Sequence, residues 1–160
     1  MLPARTLPAT DDTGIDLAAL QGRSVVIVYP WTGRPGHPNP PDWDVIPGAH
    51  GSTPELEGFR DRHKDFMRLG VRLFGLSHQT TEYHEELVAR IALTFPILSD
   101  EEGRFAAVLR LPSFATGGET YLKRLTLVIK DGRIETVFYP VRDPAHHAAE
   151  VLVSLAQAVR

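Results

Sequence analysis

The stretch GRSVVIVYP, residues 22–30, constrains the fold more than any other part of the chain. Ser24–Tyr29 is a continuous, largely β-branched run with no polar alternation, the pattern of a strand covered on both faces. Pro30 ends it. A second apolar strand, VRLFGLS, follows at 71–77, and "FPIL" gives a short extended segment at 95–98. Between the first two lies a helix. Thr53 can cap it with Pro54 in its first position, or Ser52 and Glu55 form a capping box one register earlier. Leu56, Phe59, Phe66 and Leu69 share one face, and Gly70 stops the helix. Thr80 to Ala92 reads as a further helix with Tyr83, Leu87 and Ile91 inward.

"SDEEGRFAAVLRL" opens with a second capping box, Ser99 and Glu102, and runs to a stop at Pro112. "YLKRLTLVI" and "RIETVFYP" read as strands joined by Lys130-Asp131-Gly132, a strong hairpin signal. Asp143-Pro144 caps the last helix, whose inward face is Ala148, Val151, Leu152, Leu155 and Val159. Helices between strands imply covered parallel pairs, and the hairpin adds antiparallel strands. The expected fold is a three-layer α/β domain, a central mixed β-sheet flanked by helices. One domain is expected over residues 1–160, with residues 1–12 a loose lead-in.

Seventeen Lys and Arg against twenty Asp and Glu leave a net charge of −3, with no basic arm or stripe, so nucleic acid is not an expected partner. No apolar run approaches the ~20 residues that cross a bilayer, and the start has no apolar signal core. No membrane contact is expected, and the cytoplasm is the expected compartment. The chain has no cysteine, which removes disulfides, thiolate metal sites and thiol chemistry.

Residues 31–51 form a Pro- and Gly-dense loop of a length that is uncommon in a compact domain and often functional. It delivers Gly51-Ser52-Thr53-Pro54 to the first turn of a helix. Free N–H groups there, with about half a positive charge from the macrodipole, favour an anion. A cysteine so placed becomes a reactive thiolate. A serine gains far less, because an alcohol is a much weaker acid and needs an adjacent base.

Five motifs in order resemble the peroxiredoxin family, most closely its peroxiredoxin Q, or bacterioferritin-comigratory-protein-like, group. "LQGRSVVIVYP" is similar to the first core strand ending in Tyr-Pro. "GSTPELEGFRD" is similar to the nucleophile loop and helix, GCTPxxCxFRD. "VRLFGLS" resembles the second strand, "FPILSDEEGRFAAVL" the FPLLSDPDG segment, and "KRLTLVIKDGRI" the RSTFVIDxxGxI strand. The resemblance covers Leu17 to Leu155. It implies a thioredoxin-like fold, no cofactor and no metal. It puts Ser52 at the peroxidatic cysteine position and makes Arg124 the arginine that holds the thiolate and polarises the peroxide. Gly51 and Thr53 become local donors. The implied partners are a peroxide substrate and an external thiol reductant such as thioredoxin or glutathione, and the implied assembly is a monomer or weak homodimer.

Three positions depart from the family pattern. Ser52 cannot cycle through a sulfenic acid. Glu57 stands where a resolving cysteine often lies, which implies a one-cysteine mechanism if the nucleophile is restored. Ala49 replaces the usual threonine, leaving the Thr32 hydroxyl or the His50 imidazole as substitutes. Strand alternation sets Leu122, Arg124, Thr126 and Val128 on one face. Arg60 reads as structural, pairing with Asp61 or a nearby carboxylate. "RPGHPNPPD" covers the site mouth, pinned by Trp31 and Trp43. The seven histidines lack ligand spacing, and Ser52 with His50 lacks a nucleophile elbow. Two readings follow: a thiol peroxidase in an inactive Cys-to-Ser form, engineered or natural, or a cysteine-free binding or regulatory module on a thioredoxin-like scaffold.

Overall fold

The run at 24–29 lies at the centre of the molecule. The computed structural model describes residues 2–158 and contains nine strands and five α-helices among them. The central sheet has five strands: β3 (Arg23–Val28), β4 (Val71–Ser77), β5 (Ile97–Ser99), β8 (Leu125–Lys130) and β9 (Arg133–Phe138), in the order β5-β4-β3-β8-β9. β3 runs parallel to β4, and β4 to β5, while β8 is antiparallel to both β3 and β9. This is the expected mixed sheet in three layers.

Period-two alternation sends the side chains of each strand to opposite cores. Val25, Ile27, Leu73 and Val128 face Leu56 and Phe59 of α1 (Ser52–Asp61), Phe66 of α2 (His63–Arg68), Leu87 of α3 (Thr81–Ile91) and Val151 of α5 (His147–Ala158). Val26, Val28, Leu76 and Leu127 face Phe105 of α4 (Arg104–Leu109) and Leu122. A six-residue helix is too small to cover that second face. The expected loose lead-in does the rest: β1 (Thr6–Pro8) pairs with β2 (Gly14–Asp16), and Leu2, Leu7, Ala9 and Leu17 are buried. Residues 2–9 are thus part of a packed cover and not a loose lead-in, because a two-faced strand leaves apolar surface that Leu2, Leu7 and Ala9 help to bury.

Other boundaries shift for local reasons. The single helix expected from Thr53 to Gly70 breaks at Arg62, whose backbone leaves helical geometry at φ −107° and ψ 9°. Ser52 is already helical and Gly51 caps the helix with no side-chain bond, so neither the Thr53 cap nor the Ser52–Glu55 box forms. Gly103, not Ser99, stands at the N-cap of α4, and the Asp100 side chain accepts from the first-turn N–H groups of Phe105 and Ala106. That helix ends at Leu109, before Pro112. Asp143 makes no cap bond; Pro144 opens a 3₁₀ turn ahead of α5. On α5, Ala148, Val151 and Leu155 are buried and Leu152 half-buried, while Val159 lies outside the described residues. On α3, His84 is buried where Tyr83 was expected.

The strand expected at 121–129 divides at Lys123-Arg124. β7 (Glu119–Leu122) pairs with β6 (Ser113–Thr116) in a separate hairpin. Leu122 therefore joins the second core, while Arg124, Thr126 and Val128 keep the face toward the α1 side.

The β8–β9 turn places Asp131 and Gly132 at φ 50° and 79°. A Cβ on Gly132 would lie 2.3 Å from the Ala18 carbonyl oxygen. Gly132→Ala is expected to cost about 2 kcal/mol, from left-handed strain plus a backbone clash. A urea midpoint equal to that of the parent would refute this packing.

Candidate active site

Gly51 turns the chain into α1 at φ 107°, and a Cβ there would meet Pro144 at 2.9 Å. That turn brings Ser52 to the first helical position, only 3% exposed. The interruption between β7 and β8 brings Arg124 to the same point. Its Nη2 donates to Ser52 Oγ at 3.0 Å. The same nitrogen donates to the carbonyl oxygens of Gly48, Ala49 and His50 at 3.3, 3.2 and 3.0 Å. Nη1 donates to Glu55 Oε1 at 2.9 Å. One guanidinium therefore fixes the approach loop, the helix start and the hydroxyl together.

Glu55 is the functional residue that sequence reasoning missed. Its spacing of three from Ser52 puts both side chains on one helix face, and that signal was spent on a capping box. Glu55 is fully buried, and its Oε2 has no partner. Burial pushes its carboxyl up to about 7, against the pull of Arg124. The 2.9 Å contact is an ion pair in which one carboxylate oxygen is met by Arg124 and the other is left without a partner.

Above Ser52 is a cleft of about 260 Å³, lined by Trp31, Thr32, Asn39, Trp43, His50 and Thr53 among others. Trp31 and Trp43 meet edge to face at 5.4 Å and pack on Tyr83 and on Phe114 and Tyr121, so the 34–42 stretch between them is pinned against the body. Asn39, from the Pro-rich stretch, contributes to the cleft wall. The two expected substitutes for the missing threonine are otherwise engaged. The Thr32 hydroxyl lies 3.4 Å from Gln79 Oε1. The His50 ring turns outward to Asp44 at 2.5 Å, and only its backbone carbonyl reaches Arg124. Thr53 and Gly51 border the cleft. Arg60 pairs with Asp61 at 2.9 Å and donates to the Ile91 carbonyl, a structural role.

Beneath the site, His84 Nε2 lies 2.7 Å from Ser77 Oγ, and His84 Nδ1 and the Tyr29 hydroxyl are buried without partners. Burial holds the His84 imidazole down to about 3. As pH falls, the unfolded chain binds this proton near 6.5 and the native protein does not. His84 therefore costs no stability above pH 6.5, and stability is lost as pH falls from there toward 3, by at most about 4 kcal/mol. Urea titrations at stepped pH check this: His84→Gln is expected to flatten the decline between pH 6.5 and 4, and an unchanged slope would overturn it.

The fold is thioredoxin-like, with a buried hydroxyl held by an arginine at the start of α1. Residues 45–137 match the AhpC/TSA family, and the chain belongs to it. Among curated relatives it is 27% identical to the chloroplastic peroxiredoxin Q of Sedum lineare, over 94% of this chain and 73% of that one. It is 28% identical to peroxiredoxin Bcp of Escherichia coli, over 91% and 86% of the two chains. Among solved structures it superimposes on the bacterioferritin comigratory protein of Xanthomonas campestris, studied for alkyl peroxide reduction, with a TM-score of 0.80 and 22% identity over 100% and 98% of the chains. Peroxidoxin BcpB of Mycobacterium tuberculosis gives 0.79 and 24% over 99% and 95%.

Proposed function

We propose that this site is built for one-cysteine thiol peroxidase chemistry on hydrogen peroxide or organic hydroperoxides, and that the chain with Ser52 does not turn over. The observation that carries this is the Arg124 contact at 3.0 Å to a buried hydroxyl at a helix N-terminus. In the cysteine form, the thiolate sulfur attacks one peroxide oxygen and the O–O bond breaks. Sulfur becomes a sulfenic acid, and the other oxygen leaves as hydroxide or alkoxide and takes a proton to give water or alcohol. An external thiol, thioredoxin or glutathione, then condenses with the sulfenic acid and releases water, and a second thiol frees the enzyme. Glu57, paired with Arg60, offers no thiol for an internal disulfide. Arg124 stabilises both the thiolate and the departing oxygen. The reading implies a thiol-supplying compartment, the cytoplasm, and a monomer or weak homodimer.

The second reading, a cysteine-free binding or regulatory module, draws on one observation. Ala49, Ser52 and Glu57 all depart from the family pattern, whereas a single engineered change would touch one position. Peroxide consumption by Ser52→Cys separates the two.

A further inference from the structure

A second cleft, of about 670 Å³, borders Arg124 but not Ser52. Its walls come from the 44–50 segment, the β6–β7 hairpin and the chain between β9 and α5. They are apolar and open. Val45 is 76% exposed and Tyr139 48%, and Phe114 is half-buried between them and the body. Side chains of that kind normally turn inward.

Basic side chains outnumber acidic ones around this apolar surface. Lys123 and Arg142 line the cleft, both are exposed, and neither forms an ion pair among the described residues. Arg124 forms part of the lining, and its buried Nε–H has no acceptor. The single acid there, Asp44, is held by His50. With Arg124 paired to Glu55, Lys123 and Arg142 are the two cations of the lining left without a carboxylate partner.

We infer that this cleft binds a small amphipathic anion, a medium-chain carboxylate, with its head between Lys123 and Arg142 and its tail against Val45, Phe114 and Tyr139. The apolar walls give a bare inorganic anion nothing to replace its hydration, and the unpaired cations disfavour a neutral alkyl chain. The volume falls within the range of small-ligand sites. Arg124 borders both clefts, so an occupant here neighbours the residue that grips Ser52. This inference does not depend on the peroxidase reading.

Octanoate is the probe, titrated into the unmodified protein with tryptophan emission and melting temperature as readouts. Saturable binding with a rise in melting temperature is expected, and neither octanol nor acetate should reproduce it at matched concentration. The double variant Lys123→Ala/Arg142→Ala should bind octanoate about tenfold more weakly or worse, with the ligand-free melting temperature and circular dichroism unchanged. The proposal falls if octanol binds as well as octanoate, if the double variant binds like the parent, or if inorganic phosphate competes as effectively as octanoate. Absent octanoate binding, together with a dimer in sedimentation that Val45→Asp dissolves, would assign the cleft to a second copy instead.

Discussion

Ser52→Cys is expected to raise peroxide consumption from background to a readily measured turnover, with an external thiol supplied. The size of the effect follows from acidity. An ordinary thiol, with a pKa near 8.5, is only a few per cent thiolate at pH 7. At residue 52 the free N–H groups of α1 and the Arg124 guanidinium 3.0 Å away both favour the anion. Cysteines in such surroundings fall to about 3.5–7.5, which makes the thiolate the main form at neutral pH. Serine gains almost nothing from the same field, because its acidity starts many units higher and neither nearby base is bonded to it: the His50 ring points to Asp44, and Glu55 is held by Arg124. Hydrogen peroxide and an organic hydroperoxide should be compared, each with dithiothreitol, thioredoxin and glutathione as reductant. The parent chain is the matched control. A revertant that folds normally and consumes no peroxide with any reductant would end the peroxidase reading and leave the binding-module one.

Arg124→Ala should destabilise the protein by about 3–5 kcal/mol near neutral pH, the range for stripping one partner from a buried ion pair. Two losses combine. Glu55, fully buried, keeps no counter-charge, and the carbonyls of residues 48–50 lose their shared donor. The pH dependence identifies the first. Glu55 already holds its proton up to about 7 because of burial, and removing the cation raises that further. A group that holds its proton more tightly when folded supports the native state at low pH. That support is lost as pH rises from the ordinary carboxylate range through the folded value. The variant should therefore lie nearer the parent at pH 5 than at pH 8. Adding Glu55→Gln should flatten the difference without restoring the carbonyl contacts. A loss of the same size at both pH values would assign the whole effect to the loop carbonyls. In the Ser52→Cys background, Arg124→Lys keeps a charge but not the fork, and should recover only part of the turnover.

The sheet was legible because one physical signal dominates it. Ser24–Tyr29 has no polar face, and the β8–β9 turn combines Asp131 and Gly132 in the order that a tight hairpin favours. Ser52 and Arg124 were legible only through resemblance to a family, since nothing in spacing alone brings residues 72 positions apart together. Glu55 was hidden by ambiguity: Ser-x-x-Glu describes a capping box and a shared helix face equally well, and tertiary burial chose the second. The break at Lys123-Arg124 was hidden because "YLKRLTLVI" alternates as one strand would. The hairpin formed with Ser113–Thr116 through Gly117-Gly118 interrupts it, a local pairing of two short, largely polar strands with no apolar pattern to announce it. Leu2 and Leu7 were hidden among Pro and Thr, whose composition describes a loose segment whenever no surface awaits it.

That N-terminal cover sets an order of assembly. Leu2 donates its N–H to the Gly132 carbonyl, and its side chain joins a core built from β3, β4, β5 and β8. Leu2 and Gly132 are far apart in the chain, so closing this contact carries a large loop entropy and is slow beside local pairing. Until it closes, the part of the second sheet face that Phe105 and Leu122 do not cover stays wet, an apolar surface that a chaperone can hold.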